Sequence, residues 1–168
     1  MRTYRGIQRS VRDKAITLKR LADIIPKLKK QGKDIVFTNG CFDLLHYGHA
    51  KYLEIAKSKG DILIVGVNSD SSVRIIKGDK RPIVGERDRL NLIASLESVD
   101  FAVIFNQATP LELIMRIRPD IIIKGADWAE DEIVGGSFVK GYGGRVLTIK
   151  LVKGLSTTNL IKKIVKAG

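Results

Sequence analysis

The sequence IVFTNGCFDLLHYGH, residues 35–49, joins an apolar run to a polar loop and the start of a helix. Its first three residues are β-branched or aromatic and predict a short buried strand. Turn residues follow, and a helix is predicted at 48–58, ending before Gly60. A strand that leads through a loop into a helix is the repeating unit of folds with a parallel sheet.

The same alternation continues to the C-terminus. Further strands are predicted at 61–67, 101–105, 120–123 and 145–149. Further helices are predicted at 86–98, 110–117 with Thr109 as N-cap, 133–142 and 157–166, and residues 68–85 are predicted as loop. This pattern predicts an α/β fold, a Rossmann-like doubly wound parallel five-stranded sheet with helices on both faces. In such sheets ligands bind beyond the carboxyl ends of the strands.

Residues 1–31 are predicted to form a basic helical extension that packs on the main domain, residues 32–168. Apolar residues recur there at helical spacing, at positions 18, 21, 24, 25 and 28. Pro26 interrupts this pattern, so we expect a kink or a break into two short helices near Ile25.

The chain has 168 residues and a formal net charge of +12, which raises nucleic acid binding as a function. Ten of the basic residues lie in residues 1–30, against two aspartates. Aromatic residues are few and are not interleaved with the basic ones, so the sequence offers no stacking platform. We therefore expect a solvated basic helix and keep nucleic acid binding as a minor alternative.

Other features exclude whole classes of protein. No apolar run approaches the roughly 18 residues of a membrane span, and MRTYRGIQRS at the N-terminus lacks the apolar stretch of a signal peptide. We expect a cytoplasmic protein without a membrane partner. The single cysteine, Cys41, excludes an internal disulfide and a Cys-rich zinc site, and we expect it to pack rather than react.

Both histidines of the chain, His46 and His49, lie at the predicted start of the helix after the first strand. A local hydrogen-bonding role and a metal site are two ordinary interpretations. A catalytic metal would need a third ligand, and although Asp43 is near, no established metal-binding constellation appears. Gly48 between the histidines would let an anion approach the free N–H groups of the helix start, so the group favours phosphate binding.

Four more segments bring residues suited to phosphate to the same edge of the predicted sheet. They are GVNSDSS (66–72), KGDKR (77–81), KGADW (124–128) and GLSTT (154–158). Each alone is more often a cap or a solvated loop. Their convergence on one edge strengthens the prediction of a phosphate site.

These motifs resemble a known family. His46-Tyr47-Gly48-His49 looks like the H-x-G-H signature of the nucleotidyltransferase superfamily, and Ser156-Thr157-Thr158 resembles its second signature, S-[ST]-T. From about residue 34 to 165 the chain is similar, block after block, to the heptose 1-phosphate adenylyltransferase domain of lipopolysaccharide heptose synthesis. Glycerol-3-phosphate cytidylyltransferases share H-Y-G-H, but typically open with G-T-F-D where this chain has Asn39-Gly40-Cys41-Phe42-Asp43.

The resemblance implies transfer of AMP from ATP to D-glycero-β-D-manno-heptose 1-phosphate, giving ADP-heptose and pyrophosphate. The attack would be direct and in line, with Mg²⁺ carried mainly by phosphates and water and with no covalent intermediate. Because no kinase domain is present in the sequence, a separate sugar kinase is the expected partner. A homodimer is a candidate assembly, since the apolar stripe of the N-terminal helix suits an interface as well as its own core.

The resemblance also implies roles for individual residues. The implied catalytic residues are His46, His49 and Lys77, with Lys77 preferred over Lys80 and Arg81. The implied nucleotide-binding residues are Thr38, Asn39, Gly40, Phe42, Gly48, Lys124, Gly125, Asp127, Ser156, Thr157 and Thr158. The implied substrate-binding residues are Asp43, Asn68, Asp70 and Arg89. Asp43 would orient either the substrate or the site backbone, and a structural role is equally open for Arg89.

Two alternatives remain at this point. A cytidylyltransferase acting on heptose 1-phosphate or glycerol 3-phosphate would carry the same signatures, because the choice of base depends on backbone geometry around Gly125 and Asp127. A basic nucleic acid binding protein is the alternative from another class, and it would lose binding steeply as salt rises.

Overall fold

The computed structural model describes residues 10–126, 129–150, 152 and 154–167. The strands are β1 (Ile35–Gly40), β2 (Ile62–Asn68), β3 (Phe101–Phe105), β4 (Ile121–Gly125) and β5 (Arg145–Ile149). The helices are α1 (Val11–Lys14), α2 (Leu18–Lys30), α3 (Tyr47–Lys57), α4 (Asp70–Lys77), α5 (Glu86–Ser95), α6 (Leu111–Ile117), α7 (Gly136–Lys140) and α8 (Thr157–Ala167), with a short 3-10 helix at Glu130–Glu132.

All five strands are parallel and lie in the order β3-β2-β1-β4-β5. The predicted fold class is therefore confirmed. The chain builds outward from β1 to β3 and then returns to the other side of β1 with β4, so the direction of winding changes between β1 and β4. The carboxyl ends of these two strands form the crevice in which doubly wound sheets bind ligands.

Alternate side chains of each strand enter two separate cores, because the side-chain period of a strand is two. Ile35 and Phe37 of β1 pack in one core with residues of α2, α6 and α7. Val36 packs in the other with residues of α3 and α5. Both faces of the sheet are thus covered, which explains why the strand sequences are nearly continuous in apolar residues.

Helix α2 is continuous, so the predicted break near Ile25 is wrong. Pro26 is exposed, and so is Ala22, whose carbonyl loses its helical partner, so water can satisfy that oxygen. Leu21 and Ile25 are buried in the first core. At the end of the helix, the Lys29 ammonium donates to the carbonyl oxygen of Arg118, the residue that caps α6.

Several predicted boundaries differ from the structure. Asn39 and Gly40 belong to β1 rather than to the following turn, because they pair in register with β2. Residues 70–77, predicted as loop, form α4, whose N-terminus is capped by the Ser69 side chain accepting from the Ser72 amide at 3.2 Å.

Two more predictions about helices fail on local chemistry. Thr109 is not the N-cap of α6: that position is Pro110, which makes no side-chain capping bond. The helix predicted at 133–142 is reduced to α7, because Gly135 has a left-handed backbone and a turn follows Lys140. In the part of the chain that the structure describes, no helix is both long and apolar enough to cross a bilayer.

Candidate active site

A cleft of about 680 Å³ opens at the carboxyl ends of β1 and β4. The predicted site residues that line it are Asn39, Gly40, Phe42, Asp43, His46, Gly48, His49, Asn68, Lys77, Lys124, Gly125, Ser156, Thr157 and Thr158. Thr38, Asp70 and Arg89 do not line it, and Asp127 lies outside the described residues. The sheet edge therefore brings together segments that are far apart in the sequence.

His46 and His49 form a stacked pair at the start of α3. Their ring centroids are 3.8 Å apart with an interplanar angle of 17°, and Phe42 meets His49 edge-on at 5.4 Å. The Nδ1 atoms of both histidines are buried and have no hydrogen-bond partner among the described residues. A buried polar atom without a partner costs free energy, and such exceptions in a folded protein call for an explanation such as a catalytic role.

Both histidines are electrically neutral near pH 7. Burial lowers the pKa of His46. Burial, and then the neighbouring His46, lower the pKa of His49 to about 4. A neutral imidazole carries one N–H, so each ring can donate one hydrogen bond to a phosphate oxygen.

The backbone around the histidines is tightly shaped. A Cβ on Gly48 would lie 3.0 Å from the ring of His46 and 3.4 Å from the Cβ of Leu155. The His46 ring can pack this close to the backbone because residue 48 has no side chain. Phe42 adopts a left-handed backbone, with φ 47°, which is uncommon for a bulky residue. Strained residues of this kind concentrate at functional loops.

Asp43 connects the β1–α3 loop to the loop between α4 and α5. Its carboxylate is 2% exposed and accepts from the amides of Ile83 at 2.8 Å and Val84 at 2.9 Å. The Nε of Arg81 donates to its other oxygen at 2.6 Å. The predicted substrate residue is thus bonded to protein groups on both carboxylate oxygens.

Arg89 is completely buried and belongs to the framework of the site. Its three kinds of guanidinium nitrogen donate to the carbonyl of Val84 at 2.8 Å, the carbonyl of Cys41 at 2.5 Å and the carboxylate of Asp70 at 2.8 Å. The arginine and Asp70 therefore hold the β1–α3 loop on α5 from beneath the cleft.

Two other predicted residues are engaged inside the protein. The Thr38 hydroxyl is buried and lies 2.8 Å from the Tyr52 hydroxyl, which donates to the carbonyl of Ile123 at 3.0 Å. Asn68 donates to the Ser72 hydroxyl at 2.9 Å. These contacts fix the ends of β1 and β2. Asn68 also lines the cleft.

Cations lie at both sides of the histidine pair. Lys77 ends α4 on the β2 side, is exposed, and has no hydrogen bond or ion pair within the described part of the chain. Lys124, the next-to-last residue of β4, lies on the other side and donates to the side-chain oxygen of Asn39. Between them lies Cys41, whose pKa is raised by burial, with Lys77 opposing that shift.

The start of α8 closes the cleft beyond β5. The Ser156 hydroxyl accepts from the Asn159 amide at 3.1 Å and so caps this helix. The Thr157 hydroxyl is 3.5 Å from the carbonyl of Leu44, and Thr158 also faces the cleft. A capped helix start of this kind presents backbone N–H groups that favour an anion.

No group of three or more His, Cys, Asp or Glu side chains suited to a metal ion occurs among the described residues. Asp43, the carboxylate in the cleft, is already occupied by Arg81 and two amides. The side chains present therefore do not form a protein cage for Mg²⁺.

Sequence reasoning missed part of the lining. Residues not assigned to the site include Arg81, Thr109, Pro110, Ile133, Val134 and Leu155. Pro110, Ile133 and Val134 lacked any motif, since they reach the cleft through loops after β3 and β4, whereas Leu155 follows β5 within the GLSTT segment. Arg81 stood in a recognised basic segment, but only the fold separates it from its neighbour Lys80, which does not line the cleft.

The chain is similar in sequence to a known family and to several curated proteins. The model of the cytidylyltransferase-like family matches residues 37–163. The chain is 52% identical over 147 residues to the bifunctional protein HldE of Geobacter sulfurreducens, covering 88% of this chain and 30% of that protein. It is 51% identical over 163 residues to the protein of the same name from Geobacter metallireducens, covering 96% and 33%. The chain thus spans about a third of the length of the curated relatives it matches.

Two solved structures share the architecture. The lipopolysaccharide core biosynthesis protein from Thermoplasma volcanium has a TM-score of 0.60 and 35% identity, over 73% of this chain and 98% of that one. The pantoate-beta-alanine ligase from Francisella tularensis has a TM-score of 0.61 at 15% identity, over 91% and 79%, and so supports the fold alone.

Proposed function

The chain belongs to the cytidylyltransferase-like family and is a nucleotidyltransferase, and we propose that it transfers AMP from ATP to D-glycero-β-D-manno-heptose 1-phosphate. The products are ADP-heptose and pyrophosphate. About half of the residues are identical to those of proteins named bifunctional protein HldE, and a structural relative at 35% identity is named a lipopolysaccharide core biosynthesis protein. These similarities support a sugar phosphate of that pathway as acceptor.

The observation that carries the proposal is the stacked histidine pair that lines the cleft at a helix start, between Lys77 and Lys124. Neutral donors beside cations at a helix N-terminus suit a polyphosphate whose charge shifts during reaction. The cleft contains no described side chain arranged as a nucleophile with its base, so direct transfer is the chemistry it supports.

In the proposed step an oxygen of the sugar phosphate attacks the α-phosphorus of ATP. A new oxygen–phosphorus bond forms while the bond between the α-phosphorus and the bridging oxygen to the β-phosphorus breaks, and the electron pair leaves with pyrophosphate. A phosphate monoester has its second pKa near about 6, so the attacking oxygen is already ionised and no general base is needed. Catalysis is then positioning and charge stabilisation.

The residues divide this work along the cleft. His46 and His49 donate to phosphate oxygens that gain charge as the bond breaks. The start of α8, with Thr157 and Thr158, binds the β- and γ-phosphates, while Lys77 offsets charge at the α-phosphate or the acceptor. Gly125 and the neighbouring Asp127 border the base in this proposal.

Mg²⁺ is proposed as cofactor, with phosphate oxygens and water as its ligands, because the described side chains form no cage for it. When bound in that way it offsets phosphate charge. A sugar kinase is the partner activity that the reaction requires, since the acceptor is a sugar 1-phosphate. We also propose a cytoplasmic location, and a homodimer remains a prediction.

The experiment is pyrophosphate release by purified protein with Mg²⁺, comparing ATP with CTP and heptose 1-phosphate with glycerol 3-phosphate. Release with ATP and heptose 1-phosphate alone supports the proposal. Preference for CTP or glycerol 3-phosphate would replace it with a cytidylyltransferase. Activity in none of the four pairings, together with salt-sensitive binding to nucleic acid, would favour the alternative of another class.

A further inference from the structure

Arg81 is held in a fixed orientation at one end of the cleft. Its side chain is 19% exposed, and its Nε is 2.6 Å from a carboxylate oxygen of Asp43, whose own side chain is 1% exposed. Two backbone amides, those of Ile83 and Val84, hold the second oxygen of Asp43. The carboxylate therefore cannot turn without losing several bonds, and the arginine that it binds shares its rigidity.

The rest of the Arg81 guanidinium remains available. Arginine has five N–H donors, and here only the Nε–H has a partner among the described residues. The residue lines the cleft, and its two terminal nitrogens, which have no partner among the described residues, are available there to a ligand. Such a fork matches the geometry of a phosphate group and can bind two of its oxygens at once.

The location of Arg81 separates it from the groups proposed to bind the nucleotide. Arg81 and Lys77 come from the segment after β2, whereas Lys124 and the start of α8 come from the segments after β4 and β5. In the sheet, β2 and β4 flank β1 on opposite sides, and the histidines follow β1. The two ends of the cleft thus lie on either side of the histidine pair.

Electrostatic influence on Cys41 agrees with this placement. Burial, the largest effect, raises the pKa of the Cys41 thiol, while Lys77, Arg89 and Arg81 each act to lower it. All three guanidinium nitrogens of Arg89 already donate to protein acceptors. Lys77 and Arg81 are therefore the two cations of this end that can meet a ligand.

We propose that the terminal guanidinium nitrogens of Arg81 bind the phosphate of the acceptor sugar phosphate, and that Asp43 is the positioning residue that aims them. This inference rests on the proposed function, since it needs an acceptor that carries a phosphate. Arg81 forms no covalent bond: it places the attacking phosphate opposite the leaving pyrophosphate.

The first test compares Arg81→Gln with Lys80→Gln. Both variants remove one positive charge from the same loop, but Lys80 is exposed and does not line the cleft. We expect R81Q to raise the KM for heptose 1-phosphate by about tenfold to a hundredfold, the loss typical of a charged hydrogen-bond pair. The Kd of a non-hydrolysable ATP analogue without acceptor should change less than about twofold, and K80Q should change neither.

A raised nucleotide Kd with an unchanged acceptor KM would overturn the assignment, and so would equal effects of R81Q and K80Q.

The role of Asp43 is tested with Asp43→Asn. We expect D43N to raise the acceptor KM, and the double variant D43N/R81Q to be no worse than R81Q alone, because Asp43 acts through the arginine. Additive effects would contradict a positioning role.

A second measurement keeps the inference separable from the proposed function. Binding of inorganic phosphate, followed as a rise in melting temperature, requires no turnover. R81Q should show a smaller rise in melting temperature, and K80Q should show the full wild-type rise. Phosphate bound at the histidine pair raises the melting temperature of both variants equally, so the difference between them reports on Arg81. If wild-type protein releases no pyrophosphate with any sugar phosphate, the proposed function fails, while an undiminished rise in R81Q would still overturn the Arg81 site.

Discussion

The imidazole rings of His46 and His49 stack with their centroids 3.8 Å apart. Two imidazolium cations at that distance would repel each other strongly, so the pair resists protonation: burial, and then the neighbouring His46, lower the pKa of His49. The site therefore presents neutral donors to an anion, and its positive charge comes from lysine and arginine instead. This division gives the site a charge that does not vary across the physiological pH range.

Acid should destabilise the protein through His49. Its pKa in the folded state is about 4, below the ordinary 6.5, so the unfolded chain binds the proton first as pH falls. The stability it contributes is complete above pH 6.5 and is lost as pH falls toward 4. We expect wild-type protein to lose about 2 kcal/mol from this group between pH 7.5 and pH 5, and His49→Gln to lose less. Urea unfolding at both pH values measures this, and equal losses would contradict it.

Replacing either histidine should abolish most turnover while the fold is kept. We expect His46→Ala and His49→Ala each to lower kcat about 100-fold to 1000-fold, as removal of a transition-state donor does. Pyrophosphate release measures kcat, and circular dichroism checks the fold. Lys51→Ala, which removes a half-buried residue of α3 that does not line the cleft, is the control and should retain wild-type kcat. Unchanged kcat in H46A or H49A would sink the assignment.

Gly48→Ala should separate stability from activity. The new methyl group would lie 3.0 Å from the His46 ring and must displace it by a few tenths of an ångström. Alanine favours helix over glycine by up to about 1 kcal/mol, so the melting temperature should hold or rise slightly. We expect kcat to fall at least about tenfold, because a misplaced donor stabilises the transition state poorly.

Gly85→Ala is the matched control, since its Cβ would meet only one atom, at 3.9 Å. That variant should keep wild-type kcat. A G48A enzyme with full activity would show that the position of the His46 ring does not matter for turnover.

Arg89 should prove to be a structural residue. Arg89→Met leaves two carbonyl oxygens and the partly exposed Asp70 carboxylate without their donor, and each buried acceptor left unpaired costs about 1–3 kcal/mol. Arg87→Met, on the exposed side of the same helix, should cost less than about 0.5 kcal/mol. Denaturant unfolding compares the two. An R89M protein that is fully stable but has a raised acceptor KM would indicate that Arg89 binds the substrate instead.

The sheet could be predicted because its signal is local. Each strand is an apolar run bounded by turn residues, and burial on both faces follows from that composition. Helix α4 was missed for the opposite reason: its first turn contains Asp70, Ser71 and Ser72, residue types that favour turns as often as helix starts. The helix forms because Ser69 caps it and Val73 reaches the core.

The motifs predict which segments meet at the cleft, but they do not predict the partners of each side chain. Asp43 meets Arg81 across 38 positions of sequence, and Arg89 meets Cys41 across 48. Such pairs depend on how two loops meet after folding, and no spacing rule reports them. The sequence alone therefore does not reveal that Asp43 binds Arg81.

The contact between Lys29 and the end of α6 has a further consequence for how the chain's charge is distributed. It fixes the lysine-rich last turn of α2 near the start of β1, at the amino edge of the sheet, whereas the cleft lies at the carboxyl edge. The six residues of β1 separate the two edges by about 20 Å, more than twice the Debye length of about 8 Å at physiological ionic strength. Salt therefore screens the lysines of α2 from a substrate in the cleft. Changes in the charge of the last turn of α2 should leave the chemistry in the cleft unaltered.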